Sequence, residues 1–160
     1  MSNVYSFRET WTAAHPSDEV WKLIADPTTY PGWWRQFAKV DRLNEQDGVG
    51  GKVAVHVKSA LPYHMRFALE STRYDRPHVA EVRASGDLNG VMRWTLTPKD
   101  GGTQIDFEED VSTGKRLLNV LAPIAKPFFA WNHRIMMKHG QAGLRAELAR
   151  RANGGQIASS

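Results

Sequence analysis

The sequence contains no cysteine and no long hydrophobic run, and each absence excludes a class of protein. Without cysteine there are no disulfides, no thiol catalysis and no cysteine-ligated metal ions. No segment approaches the ~20 apolar residues that a membrane-spanning helix needs, so stable membrane insertion is not expected. Residues 1–5 have neither a basic head nor an apolar run, so the sequence predicts no signal peptide and a cytoplasmic protein.

Motifs for metal, cofactor and nucleic-acid binding are also lacking. His133 and His139 lie on different faces of a helix, and the other histidines show no metal-ligand spacing. There is no serine elbow, phosphate-binding loop or dinucleotide fingerprint, so no cofactor is expected. The net charge is +4 and the pI about 9.5, but the basic residues are spread along the chain, which does not favour nucleic-acid binding.

The length and the aromatic content favour one globular domain with a broad core or a walled pocket. A chain of 160 residues suits a single domain, here residues 1–152. The polar tail that follows, 153–160, is expected to be flexible. Six tryptophans are many for a chain this short, and such bulky side chains fill a core or line an apolar pocket.

Hydrophobic residues alternate with polar ones over much of the chain, which predicts β-strands with one buried face. The first such run carries Tyr5, Phe7 and Trp11 on odd positions. Six further strands follow from Lys39 onward, separated by turn motifs such as Asp47-Gly48. These strands predict an antiparallel meander with one apolar face and one wet face.

Helical periodicity occurs in three places. A first helix starts at Pro16, and a second short helical piece follows over 28–37. The third is the C-terminal helix, where Pro123 and Pro127 are expected to break or kink the beginning. Past Pro127 nothing stops this helix until about Arg151, which gives roughly 24 residues or about 36 Å.

The order of elements is therefore one strand, two short helices, a six-stranded meander and one long helix, which is an α+β arrangement. A twisted sheet of seven strands must cover its apolar face, and the C-terminal helix is its only large apolar partner. One helix about 10 Å wide cannot cover such a sheet. The sequence therefore predicts an apolar cavity between the curved sheet and the long helix.

Several motifs, taken in their order and spacing, resemble a known family over nearly the whole chain. They are His15-Pro16-Ser17-Asp18-Glu19-Val20-Trp21, Asp26-Pro27-Thr28-Thr29-Tyr30-Pro31-Gly32-Trp33-Trp34, Leu61-Pro62-Tyr63, Ala84-Ser85-Gly86-Asp87-Leu88-Asn89-Gly90, Trp94-Thr95-Leu96, Gly102-Thr103, and Phe129-Ala130-Trp131-Asn132-His133 with Met137 and Gly140. The chain resembles the START-like (SRPBCC, helix-grip) superfamily, in its polyketide cyclase/dehydrase and lipid-transport branch. The resemblance implies a hydrophobic cavity for a lipid, polyketide, steroid-like or other apolar molecule. Some relatives cyclise or dehydrate polyketides, whereas others only carry or sense ligands.

The long helix supplies the candidate polar site. A glycine in mid-helix, Gly140, indicates a close approach to the sheet, and His133 two turns earlier then faces the sheet as well. His133 can bond a ligand carbonyl or act as an acid/base, or it can be a core histidine satisfied by a neighbour. No carboxylate partner for it is evident from the sequence. Asn132 is either a polar anchor in the cavity or a structural bridge to a loop.

The predicted ligand-binding residues combine this helix with the inward strand positions and the tryptophan pair. They are Trp33, Trp34, Tyr63, Met65, Phe67, Trp94, Phe107, Phe129, Asn132, His133 and Met136. Either Trp33 or Trp34 can gate one cavity end, and plain core packing is the alternative for each. For Tyr63, the alternative is core packing with its hydroxyl at the cavity rim.

The strand arginines bear on the reaction that the resemblance implies. Cyclase relatives use cavity arginine and tyrosine side chains to polarise carbonyl groups, and Arg66 and Arg93 are the first candidates here. Strict alternation places both on the wet face, opposite Phe67 and Trp94, unless a bulge turns them inward. This departure weakens the case for cyclase chemistry.

Three hypotheses for function follow. The first is a protein that carries or sequesters a hydrophobic small molecule. The second is a polyketide cyclase/dehydratase-type enzyme that uses His133 as acid/base, with Tyr63 or Asn132 binding a carbonyl. The third is a module that binds a protein partner through an exposed apolar patch.

Overall fold

A computed structural model describes residues 4–58, 64–113 and 122–158, which form one curved sheet and three helices. In chain order the elements are β1 (Val4–Ala13), α1 (Ser17–Ile24), a 3₁₀ helix (Pro27–Gly32), β2 (Phe37–Arg42), β3 (Lys52–Lys58), β4 (His64–Asp75), β5 (Val79–Gly86), β6 (Leu88–Lys99), β7 (Gly102–Thr113) and α2 (Ala122–Ala158). The predicted α+β helix-grip arrangement is confirmed. The second helical piece is shorter than predicted: the 3₁₀ helix ends at Gly32, and Phe37 is the first residue of β2.

The seven strands form one antiparallel sheet in the spatial order β1-β7-β6-β5-β4-β3-β2. The meander β2 to β7 follows the chain, and β1 completes the sheet beside β7, with Trp11 opposite Ile105. Trp94 of β6 lies opposite Phe107 of β7. Directly opposite residues point to the same face of a sheet. The inward parity predicted for each strand therefore places its apolar side chains on one concave face.

Helix α1 and the 3₁₀ helix close one end of the concave face. Four residues of α1 are almost fully buried: Val20, Trp21, Leu23 and Ile24. The 3₁₀ helix begins where the Asp26 carboxylate accepts a hydrogen bond from the backbone N–H of Thr28 (3.1 Å). At its other end the Tyr30 hydroxyl donates to the Ile24 carbonyl oxygen (2.5 Å), which ties the two helices together.

Helix α2 is longer than predicted, with 37 residues, or about 55 Å. It contains both prolines that were expected to break it. Pro123 falls among the first four residues of the helix, whose N–H groups have no intrahelical partner, and Pro127 removes one further bond. Its buried stripe includes Met137, Leu144 and Leu148. Among the described residues no helix has the combination of length and hydropathy needed to cross a bilayer.

Two glycines let α2 approach the residues before β2. A methyl group on Gly140 would lie 2.6 Å from Cε2 of Trp34 and 2.7 Å from Cη2 of Trp11. This agrees with the predicted close approach at Gly140. A methyl group on Gly143 would collide with the carbonyl oxygen of Trp33, so the helix backbone rests directly on the chain there. The helix can take its position across the sheet only because both residues lack a side chain.

Candidate functional site

An apolar cavity of about 150 Å³ lies between the concave face of the sheet and the helices. The strands contribute Tyr5, Phe7, Phe37, Val57, Met65, Phe67, Leu69, Ala80, Val82, Leu88, Met92, Trp94, Phe107, Glu109 and Val111. The helices and the segments beside them contribute Ile24, Ala25, Pro27, Tyr30, Trp34, Phe129, Asn132, His133, Met136 and Met137. A wall dominated by aliphatic, aromatic and methionine side chains is typical of sites for hydrophobic small molecules.

The polar atoms at the α1 end of the cavity are already satisfied. The indole N–H of Trp34 donates to the carbonyl oxygen of Met136 (2.9 Å), and the ring packs edge-on against Trp11 at 5.4 Å. The hydroxyl of Tyr30 donates its hydrogen bond to the carbonyl oxygen of Ile24, and burial raises the pKa of this phenol well above its ordinary value. This end therefore presents hydrocarbon and ring faces to a ligand.

The other end of the cavity carries one buried polar pair. Nε2 of His133 lies 2.9 Å from Oε2 of Glu109, and the two side chains are only 13% and 8% exposed. The imidazole stacks on the ring of Phe7, with centroids 3.7 Å apart and planes within 8°. The carboxylate, which the sequence did not reveal, can accept a hydrogen bond from the imidazole N–H and fix the orientation of the ring. A polar atom of a ligand would meet this pair in otherwise apolar surroundings.

The sequence of this chain matches one known protein family over most of its length. The sequence model of the family described as "Polyketide cyclase / dehydrase and lipid transport" matches residues 5–150. The chain belongs to this family. No curated protein sequence matches it.

Solved structures show the same fold at low sequence identity. The Zhui aromatase/cyclase from Streptomyces sp. R1128 superposes with a TM-score of 0.77 at 20% identity, over 93% of this chain and 96% of that one. The protein TTHA0849 from Thermus thermophilus gives 0.71 at 14% identity, over 89% and 99%. The di-domain aromatase/cyclase BexL, from the BE-7585A biosynthetic pathway, gives 0.72 at 13% identity, over 90% of this chain and 50% of BexL.

In this family member, most of the predicted ligand-binding residues face the same cavity. They are Trp34, Met65, Phe67, Trp94, Phe107, Phe129, Asn132, His133 and Met136. Trp33 does not belong to the described wall: it is 8% exposed, stacks beside Trp34, and its indole N–H donates to Oγ1 of Thr29 (3.1 Å). That hydrogen bond and the contact with Gly143 hold Trp33 in the core. Tyr63 lies outside the described residues.

The two strand arginines lie on the convex face of the sheet, as their parity predicts. Arg93 pairs with Glu81 (2.7 Å) and lies 3.7 Å from Glu108. The register of β6 runs without a shift past Arg93, and that of β4 with β3 runs without a shift past Arg66. Neither arginine lines the described cavity, so no bulge turns the guanidinium group of either one into it.

Several wall residues were missed because they depend on long-range pairing. Tyr5 and Phe7 were assigned to a buried face, but only the pairing of β1 with β7 brings them to the cavity. Glu109 shares its parity with Phe107 and Val111, and that parity was the signal available in the sequence. A single carboxylate on an apolar strand face points to a buried polar partner.

Metal binding finds no support in the described part of the chain. No group of three or more histidine and carboxylate side chains is close enough there to hold a metal ion. The nearest approach of two histidines is on the convex face, where Nε2 of His56 lies 2.6 Å from Nδ1 of His64. This pair lies on the opposite side of the sheet from the cavity.

Proposed function

We propose that this protein binds a hydrophobic small molecule, a lipid, polyketide or aromatic compound, in the cavity and carries or sequesters it. The observation that supports this is the wall itself. Among its described residues, charged and amide side chains are confined to Glu109, Asn132 and His133. Dry apolar cavities of about 150 Å³ take up small aromatic molecules such as benzene. Binding removes the apolar surfaces of both the ligand and the cavity wall from contact with water, which is favourable.

Filling the cavity tests this proposal. Met136 lies in the wall, whereas Ala142 is exposed on the same helix, so Met136→Trp and Ala142→Trp form a matched pair. We expect titration with the neutral fluorophore 1-aminoanthracene to saturate on the unmodified protein. Met136→Trp should weaken this binding by at least about tenfold, or 1.4 kcal/mol. Absence of saturable binding, or equal loss in both variants, would reject the proposal.

A second candidate function is a cyclase/dehydratase-type enzyme with His133 as acid/base. The observation that favours it is the short distance between His133 and Glu109 at the cavity wall. A carboxylate beside an imidazole holds the ring in one orientation, which general acid/base catalysis requires. The likeness to aromatase/cyclases supports the same candidate. Against it, the described wall offers no arginine to polarise a carbonyl group.

A substitution at His133 separates the two candidates. In the enzyme, His133→Ala abolishes turnover of an aromatic-precursor polyketide mimic, while the circular dichroism spectrum shows a folded protein and 1-aminoanthracene still binds saturably. In the carrier, the unmodified protein binds the mimic and releases it unaltered. Turnover that survives in His133→Ala would end the assignment of acid/base chemistry to this residue.

A further inference from the structure

The apolar cavity adjoins a second space, which we call the polar recess. The polar recess has a volume of about 200 Å³ and lies between the start of the 3₁₀ helix and the β2–β3 connection. The residues that line both spaces are Ala25, Pro27, Leu69, Ala80 and Val82. The two spaces therefore lie side by side, with these small and aliphatic side chains as their common boundary. A small displacement of these side chains would let a ligand in the cavity extend toward the β2–β3 connection.

A bulge in β4 gives the polar recess its polar wall. Ser71 lies opposite Val82, and after one extra residue in β4 Tyr74 lies opposite Ala80. Without the extra residue, three steps along the strand would put Ser71 and Tyr74 on opposite faces. With it, both face inward and line the polar recess. The hydroxyl of Tyr74 accepts a hydrogen bond from the indole N–H of Trp21 (3.3 Å), which leaves its own proton to donate.

The charges around the polar recess balance one another. Its lining includes the carboxylates of Asp26 and Asp47 and the cations of Arg42 and Lys52. Asp26 already accepts hydrogen bonds from Thr28, and the guanidinium group of Arg42 lies 3.0 Å from Asp47. A carboxylate or phosphate of a ligand would therefore find no net positive charge. A neutral group with hydroxyl or ester oxygens suits this wall better.

The length of the combined space limits the shape of the ligand. On β4 the wall runs from Met65, in the cavity, to Ser71, in the polar recess. Six residues of extended strand span about 20 Å, at about 3.3 Å per residue. A single aromatic ring would leave much of this length empty, whereas an extended chain or several fused rings would use it.

From these observations we propose that the ligand is an elongated amphipathic molecule with one neutral, oxygen-bearing end. Its apolar body occupies the cavity, and the hydroxyl or ester group at its end lies in the polar recess beside Ser71 and Tyr74. This inference rests on the proposed binding function, and it adds the class of ligand and its direction in the site.

Three probes and one pair of variants test the proposal. Monolauroylglycerol has a neutral polar end, lauric acid has the same chain with a charged end, and naphthalene occupies only the cavity. Ser71→Leu blocks the polar recess, and Ser85→Leu, at an exposed position on the convex parity of β5, is its control. Displacement of 1-aminoanthracene gives each Kd. We expect Ser71→Leu to raise the Kd of monolauroylglycerol by about tenfold or more and to change the Kd of naphthalene by less than about twofold.

The outcomes keep the two proposals apart. If naphthalene binds but monolauroylglycerol binds no more tightly than lauric acid, the proposal of a neutral amphipathic ligand is wrong. The proposal that the cavity binds a hydrophobic molecule then still stands. Equal losses for naphthalene and monolauroylglycerol in Ser71→Leu also overturn it. If no probe binds the unmodified protein, the binding function itself fails. If circular dichroism shows that Ser71→Leu does not fold, Thr28→Phe replaces it, because Thr28 is an exposed residue that lines the polar recess. Thr28→Phe must then weaken the binding of monolauroylglycerol and leave that of naphthalene nearly unchanged.

Discussion

The pair His133 and Glu109 is the most unusual feature of the site at the scale of single residues. Glu109 is buried, and the imidazole of His133 is held against the ring of Phe7. A buried ionisable pair rarely adds net stability, because removing both groups from water costs about as much as their attraction returns. The pair is therefore expected to add little net stability to the fold.

Replacing one member of this pair should lower the free energy of unfolding more than replacing both. His133→Phe preserves the stacking on Phe7 but leaves the Glu109 carboxylate buried without its partner, so we expect a loss of about 3 kcal/mol in unfolding free energy. The double variant His133→Phe/Glu109→Leu should come within about 1 kcal/mol of the unmodified protein. Urea denaturation measures both. A double variant as unstable as the sum of the two single variants would contradict this account.

The sequence could identify His133 as an inward residue but could not identify its partner. Helical spacing from Gly140 and the parity of β7 place each residue on the correct face of its own element. Their meeting depends on how far along the sheet α2 is docked, which is a long-range property. The close contacts at Gly140 and Gly143 fix that position, and they involve Trp11, Trp33 and Trp34 from distant parts of the chain.

At the scale of elements, the contact at Gly143 should tolerate no side chain. Gly143→Ala drives a methyl group into the carbonyl oxygen of Trp33, and backbone on both sides leaves little room to relax. We expect a loss of about 2 kcal/mol or more in unfolding free energy, measured by thermal or urea denaturation. Gly154→Ala, with nothing within 4 Å of the added methyl group, is the matched control and should not destabilise. Equal stability of the two variants would mean that α2 does not rest on Trp33.

The C-terminal half of α2 should also carry a measurable acid dependence. Hydrogen bonds from Arg150, with a smaller contribution from Arg151, lower the pKa of Glu147 from 4.5 to about 2, against the effect of burial. A lowered pKa in the folded state stabilises the protein above about pH 4.5, and this contribution is lost as the pH falls toward 2. The exposed guanidinium groups are screened by solvent, so the effect is small.

Glu147→Gln measures this contribution. The stability difference between the unmodified protein and the variant should shrink as the pH is lowered from about 5 toward 2. Glu45→Gln removes an exposed carboxylate that forms no ion pair within the described residues, and it serves as the control. A difference that grows on acidification would show that the sign of the linkage is wrong.

The ends of α2 show why local rules predict elements better than boundaries. Alternation of apolar and polar residues fixed the parity of the strands, because each strand has one buried face over its whole length. The same approach expected the helix to start after Pro127, but prolines near a helix N-terminus remove few hydrogen bonds, and α2 begins at Ala122. The bulge in β4 was also beyond local patterns, because it is defined by pairing with β5.

For the whole molecule, the cavity follows from a mismatch between one helix and a seven-stranded curved sheet. The order of the elements and the parity of the apolar residues in the sequence predict this space. It did not predict the polar recess, because the residues there come from the 3₁₀ helix, the β2–β3 connection and the bulged end of β4. The proposed ligand class therefore depends on tertiary contacts that the sequence patterns do not reveal.

The methionines allow the most direct test that a ligand occupies the cavity. Four of the five methionines, Met65, Met92, Met136 and Met137, line it. In protein labelled with ¹³C at the methionine methyl groups, saturating monolauroylglycerol should shift these four signals with one common Kd. The backbone amide signals of Glu81 and Arg93, paired on the convex face, should stay in place. Methionine signals that remain unmoved while the ligand demonstrably binds would place it elsewhere and contradict the account.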